Sequence, residues 1–297
     1  MMRALWTGAS GMNAQQTNLD TIANNFSNIA TTGYKKESAQ FASLLYQKIQ
    51  TKTTDNEGNK KPVIGQVGLG VRNTAIVSQF SQGSLQESDS NWDMAIEGNG
   101  FFMVDLNDGT TGYTRNGSFG LSIGQDGVTL ANADGYAVLD SKGEPITFSQ
   151  DTVTATLNNV KAAEKDAGIE DDSTVTELDY SNINMDEYGN LTYTSKNNVT
   201  VNMGIKIGLA QFNNPAGLEK LSGSLFGATD NSGTVRLESE DTSLTKSKIH
   251  QGYLEGSNVD TANEIVNLIV AQRAYEMNSK TITAADEMLQ QANNLRR

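Results

Sequence analysis

Residue types able to make or break bonds are scarce in this chain. It has one histidine, His250, and no cysteine. A Ser-His-Asp arrangement, a Cys-His zinc site or a histidine general base would rest on His250 alone, beside Gln251-Gly252. A surface or junction histidine is the simpler reading. Asp93 and Glu97 could stand as a glycosidase pair, but an acidic chain supplies such pairs anywhere. Asp105-Leu106-Asn107-Asp108-Gly109 offers oxygen ligands, yet it lacks the longer calcium loop with its closing Glu and reads as a hairpin turn. Gly65-Gln66-Val67-Gly68-Leu69-Gly70 lacks dinucleotide-binding spacing, and no phosphate-loop motif occurs. The expectation is no catalytic residue, no cofactor and no metal site: not an enzyme.

What remains must be structural or binding. The formal charge of −13 disfavours nucleic acid and anionic lipid. No apolar run approaches the ~18 residues of a membrane span, so no transmembrane or lipid anchor is expected. The first residues, Met1 to Gly8, hold one basic residue and no unbroken apolar run, unlike a Sec-type signal peptide. Acidic residues concentrate from Glu164 to Asp179, where large apolar residues are few. That stretch reads as a solvated loop.

The two ends read as long helices. Leu5, Met12, Leu19 and Phe26 lie seven apart, and Ile22 and Ile29 follow the last two by three. This is an a/d seam, with Gly8 and Gln15 as weak d positions. The helix should end near Ala30, with Gly33 free to turn left-handed. At the far end Leu268, Tyr275, Ile282 and Leu289 repeat by seven, with Ala271 and Ala285 three further on. Thr261-Ala262-Asn263-Glu264 has the pattern of a capping box. A helix of about 33 residues would be ~50 Å long, with Arg296 and Arg297 against its negative end. Neither helix can hide its stripe alone. The two should pack as a coiled coil, parallel or antiparallel, and any apolar stripe left over needs a neighbouring subunit. Leu5, Met12, Leu19, Ile22, Phe26 and Ile29 on one helix, and Leu268, Ala271, Tyr275, Ile282, Ala285 and Leu289 on the other, are the expected assembly interface.

The middle, Gly65 to Tyr253, reads as β. Turn signals recur at Asp108-Gly109, Asn116-Gly117, Asp126-Gly127, Asp134-Gly135, Lys142-Gly143 and Tyr188-Gly189-Asn190. Between them lie runs such as Phe101-Phe102-Met103-Val104. The fold class expected is α+β: long N- and C-terminal helices packed as a coiled coil, plus a central, mostly antiparallel β lobe. The expected parts are 1-47 (first helix and following segment), 48-75 (extended loop or hairpin), 76-250 (β-rich domain with the acidic insertion near 160-180) and 251-297 (last helix).

Several strings resemble a known family. Gly8-Ala9-Ser10-Gly11-Met12-Asn13-Ala14-Gln15-Gln16-Thr17-Asn18-Leu19, running on to Thr32-Gly33-Tyr34-Lys35-Lys36, is similar to the N-terminal signature of bacterial flagellar rod and hook proteins. Tyr253 to Leu289 resembles the matching C-terminal signature. Gln82-Gly83-Ser84-Leu85, Asp93 to Phe102 and Tyr113-Thr114-Arg115-Asn116-Gly117-Ser118-Phe119 follow in the family's order. Leu44-Leu45-Tyr46-Gln47 and the polar segment after it look like distal-rod members. Phe26-Ser27 departs from the usual Leu-Ala, and the acidic stretch looks like an insertion. The resemblance implies a structural subunit exported unfolded by the flagellar type III apparatus. It implies helical polymerisation into the hollow axial shaft that carries torque from motor to hook. Partners would be copies of itself, other rod and hook subunits, the export apparatus, and ring or bushing proteins as candidates. The location implied is the basal body, outside the cytoplasm after export. The resemblance also assigns stiffness of the distal rod to the segment around Lys48 to Gly70. The alternatives are a hook or another rod protein or, from a different class, a β-rich surface adhesin.

Overall fold

A computed structural model describes residues 2–48, 65–124, 127–166 and 178–295. The polar segment from Gln50 to Lys61, Asp126 of the Asp126-Gly127 turn, most of the acidic stretch, and Arg296 and Arg297 lie outside these residues. The architecture is α+β, with a long helix near each end and an antiparallel β middle. Its described helices are α1 (Met2–Ser27), α2 (Gln150–Asp166) and α3 (Thr261–Asn294). The chain divides into two compact units. One comprises Met1–Ile29, Lys36–Gln79 and Val259–Arg297; the other comprises Ala30–Lys35 and Phe80–Asn258.

In the first unit α1 and α3 pack against each other antiparallel. Gly8, early in α1, faces Ile282 late in α3, whereas Glu264 in the first turn of α3 pairs with Lys36, which follows α1. Glycine weakens a helix interior by about 1 kcal/mol relative to alanine, so two glycines in α1 need a reason. The reason is close approach. A Cβ on Gly8 would lie 2.9 Å from Ile282 Cγ1, and one on Gly11 would lie 2.8 Å from Asn278 Nδ2. The helix stops at Ser27, before the expected Ala30. Four strands complete the unit: β1 (Glu37–Ser43), β2 (Tyr46–Lys48), β3 (Gln66–Gly68) and β4 (Val71–Ser78). They form two antiparallel pairs, β1 with β4, bulged between Gln40 and Phe41, and β2 with β3.

The cap of α3 differs from the expected capping box. Asp260, one residue earlier, accepts from the amides of Ala262 (2.9 Å) and Asn263 (3.4 Å). Glu264 turns to Lys36 instead. A buried carboxylate finds more in a cation than in an exposed backbone amide.

The second unit is a β lobe. Its strands begin with β5 (Leu85–Glu87), β6 (Met94–Glu97), β7 (Phe101–Asp105), β8 (Thr111–Thr114), β9 (Phe119–Gly124), β10 (Gly127–Asn132) and β11 (Thr147–Phe148). They continue through β12 (Ile183–Met185), β13 (Asn190–Thr194), β14 (Thr200–Lys206), β15 (Leu209–Gln211), β16 (Glu219–Lys220), β17 (Leu225–Gly227), β18 (Arg236–Leu237), β19 (Lys248–Gln251) and β20 (Tyr253–Glu255). The largest sheet runs β16-β17-β8-β7-β15-β18. The continuous run Phe101-Phe102-Met103-Val104 is explained by β7. Alternate side chains point to opposite faces, and both faces are covered. Phe102 and Val104 join a core with Leu130, Ile146, Phe148 and Ile207, while Phe101 and Met103 join one with Tyr113, Ala210, Phe212 and Phe226. The turn glycines Gly109, Gly135, Gly143 and Gly189 all have φ between 73° and 85°, as the hairpin reading of those dipeptides requires.

One element runs against the β reading of the middle. Gln150–Asp166 is a helix, α2, and Val153, Leu157 and Val160 pack on the first core. Its β-branched Thr152, Val153, Thr154 and Thr156 disguise it, since such residues are weak helix formers. Burial of the Val153-Leu157-Val160 stripe overrides that preference. The acidic stretch thus starts inside a helix: Glu164 accepts from Asn197 Nδ2 at 3.3 Å and from the Ser195 hydroxyl. At its other end Leu178 is buried, and Asp179 caps a short 3-10 turn at Tyr180–Asn182.

Candidate assembly surface on the terminal helices

The paired helices leave much of their apolar surface in water. On α1 the buried positions are Gly8, Ala14, Thr21, Ile22 and Asn25. Of the expected interface residues Ile22 is buried, Leu5, Met12, Leu19 and Ile29 are half-buried, and Phe26 is exposed. At about 100° per residue the row Leu5-Met12-Leu19-Phe26 stands roughly a quarter-turn from the buried row. It forms a flank of the pair, not its centre. The centre of the buried row is partly polar. Thr21 bonds back to the Thr17 carbonyl at 2.8 Å. Asn25 brackets the start of β1, its Nδ2 donating to the Glu37 carbonyl and its Oδ1 accepting from the Glu37 amide, both at 2.8 Å. A side chain that satisfies a backbone donor and acceptor together can be buried at little cost.

On α3 Ala271 and Ala285 are buried, Leu268, Ile282 and Leu289 are half-buried, and Tyr275 is exposed. By helical geometry these six share one side of α3, and Ile282 among them meets Gly8 of α1. A second apolar stripe lies elsewhere on the same helix. Val266, Val270, Met277 and Met288 are 58%, 62%, 64% and 50% exposed, flanked by Ile265 and Ile269. By the same helical geometry they fall within a band about 40° wide, centred about 130° from the first stripe. The sequence signal for it is the spacing of four, seven and eleven from Val266 to Met288.

The lobe carries the other candidate residues. His250 Nε2 lies 2.8 Å from Glu97 Oε2 on neighbouring strands β19 and β6, with the ring centroid 6.2 Å from that of Tyr253. Asp93 Oδ2 accepts from the Ser88 hydroxyl at 2.5 Å. An open cleft of about 560 Å³ has an apolar floor that includes Met103, Tyr113, Leu139 and Leu237. At its rim Arg236 Nε and Nη2 bind Asp241 Oδ2 at 2.9 and 2.5 Å. Asp241 also accepts from the Ser243 amide and hydroxyl. Those Ser243 bonds first, and Arg236 with them, hold its carboxyl down to about 2. Arg236 and Asp241 therefore satisfy each other, while Lys142 and Glu240 also line the cleft. Asn107 turns its amide onto Asp105 Oδ1 at 3.0 Å, as a hairpin turn does. Among the described residues no group of three or more His, Cys, Asp or Glu is placed to hold a metal ion, and no helix is long and apolar enough to cross a membrane.

Fold and surface define a class: an α+β protein with antiparallel terminal helices, a two-core antiparallel lobe and an open apolar stripe along its last helix. Comparison with known proteins gives the family. Residues 5–35 match the model for "Flagella basal body rod protein", residues 95–193 that for "Flagellar hook protein FlgE/F/G D1 domain", and residues 250–295 that for "Flagellar basal body rod FlgEFG protein C-terminal". The chain is 39% identical to the flagellar basal-body rod protein FlgG of Borreliella burgdorferi over 298 residues, covering all of both chains. It is 40% identical to FlgG of Agrobacterium fabrum over 97% of each chain. To FlgG of Bacillus subtilis it is 33% identical over all of both. The chain belongs to the FlgG family of flagellar basal-body rod proteins.

Proposed function

We propose that this chain is a structural subunit of the flagellar distal rod, built into the axial shaft between motor and hook. It is exported by the flagellar type III apparatus and then polymerises helically with copies of itself, joining other rod and hook subunits end to end. Its place is the basal body, outside the cytoplasm. In this reading the antiparallel helices act as a coiled-coil rib, and the chain does scaffolding and no catalysis.

The observation that carries the proposal is the second apolar stripe of α3. A helix that buries one stripe on its own partner and keeps another in water has a face for something else. An open helical array needs heterologous contacts, in which two different faces of one subunit meet. The α3 stripe and the Leu5-Met12-Leu19-Phe26 flank of α1 supply two such faces. End-to-end likeness to proteins named as basal-body rod subunits supports the same reading.

The test is deletion of the encoding gene followed by electron microscopy of isolated basal bodies. Rods that stop before the hook are expected. Complete rods lacking only the hook would move the assignment to a hook protein, and unaltered basal bodies would end it.

A further inference from the structure

The lobe buries a charged cluster that the assembly reading does not use. Glu255, at the end of β20, is 1% exposed. Its Oε1 accepts from Lys35 Nζ at 2.7 Å and from the Gly83 amide at 2.8 Å, and its Oε2 lies 3.3 Å from Arg115 Nη1. Lys35 is 3% exposed and also donates to the Ser81 carbonyl at 2.8 Å. Arg115, 1% exposed, reaches the carbonyls of Gly98 (2.5 Å) and Ile96 (3.4 Å), with its Cζ 5.2 Å from the Phe101 ring centre. Its Nε is buried with no hydrogen-bond partner among the described residues. Two cations thus share one carboxylate. Burial pulls both Lys35 and Arg115 below their ordinary pKa values, while Glu255 pulls both back up. Glu238, itself buried, adds a second negative charge that acts on Arg115.

The position of this cluster in the chain gives it meaning. Lys35 and Glu255 are 220 residues apart. Lys35 ends the short segment that follows α1, and Glu255 begins the one that leads to α3. The backbones of these segments are joined too. The Gly33 amide donates to the Glu255 carbonyl at 2.7 Å, and the Asn258 amide to the Tyr34 carbonyl at 3.4 Å. Both dock on residues 81–84: the Gly256 amide donates to the Ser84 carbonyl at 2.8 Å, and Asn258 Nδ2 to the Ser81 hydroxyl at 2.9 Å. Gly33 has φ +68°, and a Cβ there would lie 2.6 Å from the Asn116 nitrogen, so nothing larger than glycine fits the passage.

We propose that Glu255 is a two-ended latch: residues 30–35 and 254–258 close onto the lobe together or not at all, so the lobe completes its fold only when both chain ends have arrived. With Glu238 counted, the closed site holds two cations and two carboxylates, and either segment alone leaves one buried charge in excess. Without residues 30–35 the carboxylate loses its nearest cation. Without residues 254–258 two cations face each other with no carboxylate between them. Neither half-closed state is tolerable in a site removed from water. Closure is therefore cooperative across the length of the lobe, and an incomplete or partly threaded chain stays open at this point.

Native-state hydrogen exchange on the full-length chain tests the latch. The reporters are the amides of Gly33 and Gly256, one in each segment. The controls are Leu130, Val138 and Ile146, whose amides bond among themselves elsewhere in the lobe. In Glu255→Gln both reporters should exchange at least about a hundredfold faster, about 3 kcal/mol at 1.4 kcal/mol per tenfold, with the controls unchanged. Should that variant fail to fold, Lys35→Met carries the test. It leaves Glu255 facing Arg115, and it should release Gly256 as well as Gly33 by similar factors. Release of Gly33 alone would overturn the latch, as would equal acceleration of reporters and controls, or no change.

Discussion

If the outer stripe of α3 is an assembly face, charging it should abolish polymerisation and spare the subunit. The perturbation is Val270→Asp with Met277→Asp, two positions 62% and 64% exposed in the single chain. Fully burying such a side chain is worth about 1.5–3 kcal/mol, so the exposed part of these two is worth about 2–4 kcal/mol per contact. Losing it weakens each contact by about 30- to 700-fold at 1.4 kcal/mol per decade. Two carboxylates forced against an apolar neighbour raise the loss further. The assay is the critical concentration for polymer formation by the purified chain, followed by sedimentation and electron microscopy. Trp6, 69% exposed on α1, gives an internal check if Trp92 is replaced by Phe: its emission should shift to the blue in polymer and stay red in the double variant. Urea unfolding of the lobe should be unchanged, because neither residue belongs to it. Polymer formed by the double variant at the parent concentration would refute the reasoning and leave the stripe without a role.

Two further outcomes follow from particular contacts. Gly11→Leu forces a side chain onto Asn278, where even a Cβ would sit 2.8 Å from Nδ2. It should cost about 1–3 kcal/mol of the α1–α3 pairing, read as earlier loss of helical circular dichroism on heating, whereas Ala9→Leu on the exposed side should not. Asp241→Asn should flatten the acid dependence of lobe stability. The native carboxyl sits at about 2 against an ordinary 3.8, so between these values the unfolded chain binds more protons and stability falls as pH falls. That contribution is complete above about pH 4 and gone below about pH 2. A parent protein whose urea midpoint shows the same slope through this window as Asp241→Asn would contradict it.

Local patterns carried most of the architecture, and long-range partners account for what they missed. The heptads of both helices, the Gly-containing turns and the unbroken Phe101–Val104 run each state their own burial, so α1, α3 and the two-sided strand β7 were legible. On α3 the row from Leu268 to Leu289 includes Ile282, which meets Gly8 of α1, and the exposed Tyr275. On α1 the apolar row and the buried face differ by about a quarter-turn, because the buried centre includes Thr21 and Asn25. Asn25 is buried for its bonds to Glu37, and no periodicity of hydrophobic residues can report that. Helix α2 was hidden for a related reason: its threonines favour strand, and only the core beneath Val153, Leu157 and Val160 decides for helix.

The buried charges show the same limit in its strongest form. Lys35, Arg115 and Glu255 each sit inside a string that resembles the rod and hook family, yet nothing in any one string says that its charge is buried. Their meeting is a product of topology: β20 pairs with β5, Glu255 opposite Leu85, and there its carboxylate reaches the Gly83 amide and Lys35. Charge is expelled from interiors unless it is paired, so a cation and an anion 220 residues apart that share one dry site constrain each other's folding far more than two leucines would. Apolar partners can be exchanged or left half-covered at a modest cost, as the open stripe of α3 is. A buried carboxylate between two cations allows no such slack, and this is why the latch, rather than the apolar cores of the lobe, sets when the lobe can close.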